Sequence, residues 1–196
     1  MAWRYLAYRL NGDGTKTLID PELPLEDVTI HDVLSGDGGI DSKIDPAFLR
    51  LQAPDGSPIL QEWSTAIFAE DDGAIRGGGI FRDSKVSGSS LTLDVAGFTN
   101  YGREMPYTGN GYKGIQIDAL DGVRACWSHI QSQPGGNIGL ELSQKDSGVK
   151  IGTTLTSAEY DGQAGYTTYE SGPFKLNWYE SHDLMEIVDN LAAETP

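Results

Sequence analysis

Three histidines are the residues in this 196-residue sequence that could bind a metal ion or transfer a proton near neutral pH. His31, His129 and His182 lie far apart, and none has a second His, Cys or Glu at ligand spacing on the same predicted element. The sequence pattern places His31 on a strand, His129 on the polar side of a helix and His182 at a helix start. We therefore predict no metal site and no cofactor.

Carboxylates and hydroxyl nucleophiles give no stronger indication of catalysis. Asp and Glu total 29, so no pair stands out as the two carboxylates that a glycosidase places across a cleft. The sequence has no G-x-S-x-G motif and no recognisable Ser-His-Asp spacing. We predict that the chain is not an enzyme. The alternative, a hydrolase, would need a pocket that holds two close carboxylates with perturbed pKa values.

The only cysteine, Cys126, cannot form an intramolecular disulfide, so the chain has no disulfide framework. It lies beside Trp127 in a predicted helix. A small apolar thiol in that position is typical of a packed helix face. We expect Cys126 to be buried and not to act as a nucleophile.

Two glycine-containing motifs resemble ligand-binding loops only in part. Asn11-x-Asp13-Gly14 resembles the start of a calcium loop, but the later oxygen ligands and the closing Glu of an EF-hand are absent. It therefore predicts a hairpin turn. Gly77-Gly78-Gly79 lies inside a predicted strand and no Lys-Ser or Lys-Thr follows it, so it is not a phosphate loop. It indicates a bulge or a close backbone contact.

The predicted strands are centred on the stretch Ser64–Phe98. This stretch contains three runs of alternating apolar residues, separated by an Asp-Asp-Gly turn and a Ser-Gly-Ser-Ser turn. Period-two alternation bounded by such turns predicts an antiparallel meander. The three runs are Thr65–Ala69, Ile75–Val86 and Leu91–Phe98.

Four further strands and one helical turn are predicted before this meander. The Asn-Gly-Asp-Gly turn joins the first two strands, and the Ser-Gly-Asp-Gly-Gly turn at residues 35–39 joins the other two. A proline at its first position predicts a short helical turn over Pro46–Leu51. The strands are Trp3–Leu10, Thr15–Ile19, Val28–Leu34 and Ile40–Ile44.

The sequence after Phe98 mixes helix and strand. Residues 99–113 are predicted to form a connecting loop, Asp118 to cap a first helix and Ser181 to cap a second. Each helix has one apolar stripe, which needs the preceding strands or further chain to pack against. Strands are predicted at Ile138–Leu142 and Val149–Ile151. The stripes consist of Leu120, Val123, Trp127 and Ile130, and of Leu184, Ile187, Val188 and Leu191.

The charge of the chain also limits its partners. A net charge of −15 and a pI near 4.4 disfavour binding to a phosphate backbone, which is bound mainly through Lys and Arg. The N-terminal MAWRYLAYRL has two arginines and no long apolar core, so we expect no signal peptide. No run approaches the roughly 18 apolar residues of a membrane span. We expect a soluble protein made in a reducing compartment.

Several stretches in their order resemble the minor tail proteins of long-tailed phages that infect actinobacteria, which belong to the tail-hub and baseplate-hub group. The resemblance extends as far as Leu142, while Ser143–Pro196 matches only in general texture. Its individual motifs are weak, and their order and spacing make it specific. The stretches are WRYLAYRLNGDGT, LPLEDVTIHDVLSGDGGIDSKI, PILQEWSTAIFAE, IRGGGIF, MPYTG and DALDGVRACWSHIQSQPGGNIGLEL.

This resemblance implies an α+β protein that is mainly β with a few helices. An antiparallel β-barrel-like tube domain would cover residues 1–105, and a smaller mixed α/β region would cover residues 106–196. The tube domain of this group assembles as a ring at the tip of the tail tube, usually a trimer. The ring continues the tube, holds the end of the tape-measure protein and opens for DNA.

The implied partners are further copies of the chain, the distal tail protein, the tape-measure protein and downstream tip or fibre proteins, with DNA only in transit. The implied location is the tail tip of the virion, after assembly in the host cytoplasm. An acidic surface would suit a channel lining, because like charge lets DNA slide. Candidate subunit-contact residues are Trp63, Ile67, Gly77, Gly78, Gly79 and Phe81.

The alternative is a carbohydrate-binding or receptor-binding β module of a virion. Such a module would expose aromatic side chains, because a flat aromatic ring provides contact area for a partner. It predicts that Trp63, Tyr107 and Tyr112 cluster on an exposed face. The hub predicts instead that these side chains are buried or lie at subunit contacts.

Overall fold

Among the residues that the structure describes, seven strands form one antiparallel sheet in the order β2-β1-β5-β6-β7-β4-β3. The structure is a computed structural model that describes residues 3–31, 38–152, 158–160, 166–168, 172–180 and 183–194. The strands are β1 (Trp3–Leu10), β2 (Lys16–Asp20), β3 (Glu26–His31), β4 (Gly39–Ile44), β5 (Thr65–Asp71), β6 (Ala74–Ser87) and β7 (Ser90–Ala96).

The sheet confirms the predicted meander and the mainly β, α+β class. It is open within the described residues, because β2 and β3 each pair with only one strand. Past the end of the β1–β2 ladder a loop pairs with β1 in place of a strand, where the Leu23 N–H donates to the Tyr5 carbonyl at 2.8 Å. The predicted barrel-like sheet is therefore not closed by hydrogen bonds.

Two compact units divide the chain. The first contains residues 1–101 and 131–140 and includes the sheet, and the second contains residues 102–130 and 141–196. Compactness alone does not test whether either unit folds by itself. The predicted domains, residues 1–105 and 106–196, stay a prediction.

A cluster of buried apolar residues in the first unit lies on one face of the sheet. Strand residues two apart point to the same face, so the alternating apolar residues of β4, β5 and β7 are buried together. Loop residues complete this core by packing their side chains against it. The buried residues are Ala7, Leu23, Ile40, Ile44, Ile59, Leu60, Ile67, Ala69, Phe81, Leu91, Leu93 and Val95.

Local hydrogen bonds explain the turns predicted in the first unit. The Asp13 carboxylate accepts the Thr15 N–H at 2.8 Å and its hydroxyl at 2.6 Å, which closes the predicted hairpin turn. The Asp45 carboxylate accepts the Ala47 N–H at 2.8 Å and caps a 3-10 helix over Pro46–Arg50, also as predicted. Part of the predicted turn at residues 35–39 lies outside the described residues.

The three consecutive glycines of β6 are sites of close contact. A Cβ on Gly77 would lie 2.8 Å from Ile30 Cγ2, and one on Gly78 would lie 2.8 Å from Phe68 Cδ1. A Cβ on Gly79 would collide with the Ala96 carbonyl oxygen. Beside them the pairing with β5 shifts register at Ala69. Both the predicted close contact and the predicted bulge are confirmed.

The second unit combines short strand pairs with two helices in the described part of the chain. Antiparallel pairs form between β8 and β13, β9 and β10, and β11 and β12. Neither helix is long and apolar enough to cross a membrane. The elements are β8 (Tyr112–Gly114), β9 (Ile117–Asp118), α1 (Ala119–Ser132), β10 (Lys150–Ile151), β11 (Ala158–Tyr160), β12 (Tyr166–Thr168), β13 (Phe174–Leu176) and α2 (Leu184–Glu194). The last two residues of α1 belong to the first unit.

One predicted strand, Ile138–Leu142, is wrong. Only an isolated parallel bridge joins Asn137 to Asp13 in this region of the described chain. Gly139 has φ +68°, a left-handed conformation that interrupts an extended strand. The Asn137 side chain also accepts the Gly139 N–H at 2.9 Å, which forms a local turn where a strand would need a partner.

The two helices occur where they are predicted, with differences in detail. On α1 the buried residues include Gly122 and Cys126, while Leu120 and Val123 are half-buried. The stripe is therefore rotated towards the small residues, which allow closer packing. At α2 the predicted cap, Ser181, lies outside the described residues, and the Asp183 carboxylate accepts the Met185 N–H at 2.9 Å.

Replacing Gly79 with Ala tests the close contact in β6. We expect Gly79→Ala to lower the free energy of unfolding by about 3 kcal/mol, because the added methyl group forces β6 away from β7. Gly88→Ala is the matched control, since nothing lies within 4 Å of a Cβ at that turn position. Its left-handed backbone should cost about 1 kcal/mol. Urea unfolding measures both, and equal losses would contradict the contact.

Candidate functional site

The structure separates the six predicted subunit-contact residues by their exposure. Ile67 and Phe81 are in the core of the first unit, with 0% and 2% of their surfaces exposed. Gly79 is buried, and Gly77 and Gly78 are half-buried beneath Ile30 and Phe68. These five residues therefore pack largely against other residues of their own unit. Its role in subunit contacts stays a prediction.

Trp63 differs from the other five, because 44% of the residue's surface is exposed. It has φ +58°, and its N–H donates to the Phe81 carbonyl at 2.8 Å. A left-handed conformation costs a residue with a side chain about 1–2 kcal/mol, so the surrounding turn must hold it in place. The turn that begins β5 thus keeps a large indole at the surface, where it can contact a partner.

The two tyrosines of the proposed binding face pack within the second unit. Tyr107 is buried, and its ring lies 4.5 Å from the His129 ring. Tyr112 is half-buried and meets the Phe174 ring edge-on at 6.0 Å. These contacts give both side chains a packing role, as the hub hypothesis expects, and they do not form an exposed binding face.

The histidines show no common site. The His129 Nε2 lies 3.2 Å from the Thr108 N–H that donates to it, and burial lowers the pKa of His129. His31 is exposed, with Nε2 2.9 Å from an Asp41 oxygen, and His182 lies outside the described residues. Within the described ranges, no group of three His, Cys, Asp or Glu side chains could hold a metal ion.

The Cys126 thiol is buried on α1, as predicted. Burial raises the pKa of Cys126 to about 12, because a thiolate is poorly solvated there. The reactive thiolate form is therefore scarce near neutral pH. The geometry gives Cys126 a packing role, and we expect it to react slowly with thiol reagents in the folded chain.

The Asp118 carboxylate accepts four hydrogen bonds in the second unit. Its carboxylate accepts the N–H and hydroxyl of Ser147 at 2.9 and 2.8 Å and the Gly148 N–H at 2.9 Å. It also accepts the Leu120 N–H at 3.0 Å, which caps α1. The N–H of Ser147 is the main cause that holds the pKa of Asp118 well below its usual range.

Arg124 holds the same segment at a second point. Its guanidinium donates to the Ser143 carbonyl at 2.7 Å and to the Lys145 carbonyl, and it pairs with Asp121 at 2.7 Å. Asp118 and Arg124 together fasten residues 143–148 to α1. Sequence reasoning predicted the helix cap but missed this fastening, since nothing in the spacing links position 118 to position 147.

A shallow cavity of about 540 Å³ lies in the first unit beside β3. Asp27 is the carboxylate among its described lining residues, and it pairs with Lys43 at 2.7 Å. The Lys43 hydrogen bond lowers the pKa of Asp27, so the group stays ionised. This arrangement lacks the second carboxylate that the hydrolase hypothesis requires. The lining residues are Trp3, Tyr5, Leu25, Asp27, Val28 and Ile30.

Comparisons with known proteins give remote structural likenesses. No family model matches the chain, and no curated protein matches it. Among solved structures, the chain is similar to a 43 kDa tail protein of prophage MuSo2 from Shewanella oneidensis, with 13% sequence identity and a TM-score of 0.44. The likeness covers 97% of this chain and 47% of that one, so the chain spans about half of that protein's length. A TM-score this low does not establish a common fold.

The Asp118 fastening predicts a pH-dependent stability. Because the pKa of Asp118 is depressed in the folded chain, its contribution is fully present above the unfolded value of about 4 and is lost as pH falls. We expect Asp118→Asn to lower the unfolding temperature at pH 7 and to reduce the loss of stability between neutral and acidic pH. Asp146→Asn, at an exposed position nearby, is the control. Thermal unfolding from pH 7 down to pH 3 measures both, and parallel curves for Asp118→Asn and the unmodified chain would contradict the prediction.

Proposed function

We propose that this chain is a structural protein of a phage tail and has no enzymatic activity. In this proposal, copies of the chain form a hub ring at the tail tip that continues the tail tube and lines the DNA exit channel. The resemblance of the sequence through Leu142 supports the phage assignment. The openness of the seven-stranded sheet supports the ring.

The open sheet is the observation that carries the proposal. Within the described residues, β2 and β3 at its two ends each leave one side without a strand partner. An unpaired strand edge is a template for association with another chain. Contacts between different surfaces of successive copies close into a ring when their rotation fits. Such a ring uses the edges that an isolated copy leaves open.

The charge of the chain fits a passage for DNA. A net charge of −15 repels a polyanion, so an acidic lumen would let DNA pass without binding to it. The proposed neighbours in the tail are the distal tail protein, the tape-measure protein and the downstream tip or fibre proteins. A ring whose lumen is neutral or basic would contradict this part of the proposal.

The mass of the assembled chain tests the ring. We expect light scattering to give three times the 21.2 kDa of one chain, because the resemblance implies a trimer. Negative-stain images of the same sample should show closed rings with a central opening. A chain that stays monomeric at every concentration would contradict the hub, and binding of that monomer to cell-wall glycan would favour the receptor-binding alternative.

One observation favours the second candidate, a receptor-binding module. Trp178 and Tyr179 lie next to each other with 65% of each residue exposed, and their ring centres are 5.7 Å apart. Exposed aromatic rings are suited to stacking on sugars. This candidate predicts that the unmodified chain binds host cell-wall glycan and that Trp178→Ala weakens the binding roughly tenfold. Equal binding by Trp178→Ala, or no binding by either chain, would contradict it.

A further inference from the structure

Strand β6 extends well beyond the strand that pairs with it on one side. The β5–β6 ladder runs from the Asp71–Ala74 pair to the Ala66–Ile80 pair. Beyond this ladder, the N–H of Trp63 donates to the Phe81 carbonyl, and this is the last hydrogen bond from another segment on that side of β6 among the described residues. The rest of β6, Arg82–Ser87, pairs with β7 alone among the described residues. We refer to Arg82–Ser87 as the overhang.

The hairpin geometry fixes which main-chain groups of the overhang point outward. Ser87 and Ser90 pair across a two-residue turn, which requires them to exchange hydrogen bonds. Because bonded and non-bonded pairs alternate in an antiparallel ladder, Lys85 also bonds to β7. The main-chain groups of Ser84 and Val86 therefore point away from β7. The Ser84 N–H is taken by the Asp83 carboxylate at 2.7 Å.

Val86 is thus the open position of the overhang. Its N–H and carbonyl face away from β7, and 65% of the residue is exposed. A free main-chain edge next to an exposed aliphatic side chain is the arrangement that accepts an added strand. The exposed Trp63 lies at the start of this edge, because its N–H donates to the carbonyl of Phe81, the residue before the overhang.

Strand β2 offers a matching edge. The Leu10 N–H donates to the Ser64 carbonyl at 2.8 Å, so Leu10 faces the β5 side and its neighbour Arg9 bonds to Thr17. The main-chain groups of Leu18 therefore point away from β1. Leu18 is 48% exposed, and it is an aliphatic residue like Val86.

The other edge strand, β3, is less suited to pairing. Asp27 has φ +50°, and the β3–β4 register shifts between Glu26 and Thr29. Strand β2 also shifts register, between Leu18 and Asp20, but none of its residues has a positive φ. The left-handed Asp27 therefore makes β3 the more irregular of the two edges. Five-residue β2 is therefore the better match for the six-residue overhang.

We infer that β2 of one copy adds antiparallel to the overhang of the next copy, with Leu18 opposite Val86. This inference rests on the proposed ring and specifies its contact. Two different surfaces meet, so the contact can repeat around a ring. Residues with outward main-chain groups face each other, which lets Leu18 and Val86 exchange two hydrogen bonds.

A proline at position 86 tests the added strand. Val86→Pro removes the outward N–H but leaves the bonds between Lys85 and β7, so the monomer should keep its fold, as thermal unfolding will show. We expect it to weaken self-association roughly tenfold or more, measured by light scattering over a dilution series. Val86→Ala keeps the N–H and should weaken association less. Unchanged association of a folded Val86→Pro chain would overturn the inference.

Cross-linking identifies the strand that occupies the overhang and does not depend on the proline variant. We expect a short thiol-specific cross-linker to join Leu18→Cys chains to Val86→Cys chains in a mixture, and to join neither chain to itself. The buried Cys126 should not react. Thr17→Cys, on the opposite face of β2, should react less with Val86→Cys.

The outcomes separate this inference from the ring itself. Rings without cross-links between positions 18 and 86 would overturn the inference and leave the proposed function standing. Cross-linking of Val86→Cys to itself would overturn it too, since two overhangs would then meet. An unmodified chain that never associates would overturn the proposed function and the inference with it.

Discussion

The hydrogen bonds of the strand main chain are the constraint on which the rest of this structure depends. Each strand has donors and acceptors along both sides, and within the described residues one side of β2, of β3 and of the overhang has no strand partner. Side-chain packing cannot replace these bonds, because side chains project from the faces of the sheet and leave its edges unchanged. These edges are therefore open to pairing with another chain. We propose that further copies of this chain provide the pairing.

Three glycines without side chains allow β6 to lie close to its neighbours. At Gly79 the neighbouring strand comes so near that no Cβ fits. At Trp63, by contrast, a bulky residue is held in a left-handed conformation at the surface, where glycine would adopt that conformation more easily. In the second unit the organising contacts are electrostatic, with Asp118 and Arg124 fastening one segment to α1.

Sequence predicted those parts of the fold that depend on neighbouring residues. The meander, the turn closed by Asp13 and the helical turn at Pro46 follow from local alternation and turn chemistry, and the structure confirms them. The strand at Ile138–Leu142 failed because Gly139 breaks the extended conformation. The hydrogen bonds that Ser147 donates to Asp118 join residues distant in sequence, so no motif spacing could indicate them. The overhang could have been inferred, since the second apolar run of the meander is much longer than the first.

Hydrogen exchange of the chain in its assembled and dissociated states tests the central claim most directly. If sheet edges join the copies, the amides of Leu18 and Val86 exchange rapidly at high dilution and slowly in the assembly, because each gains a hydrogen-bond partner only there. Amides inside the ladder, such as that of Lys85, should be protected in both states. Equally fast exchange at Leu18 and Val86 in the assembled and dissociated chain would contradict the account.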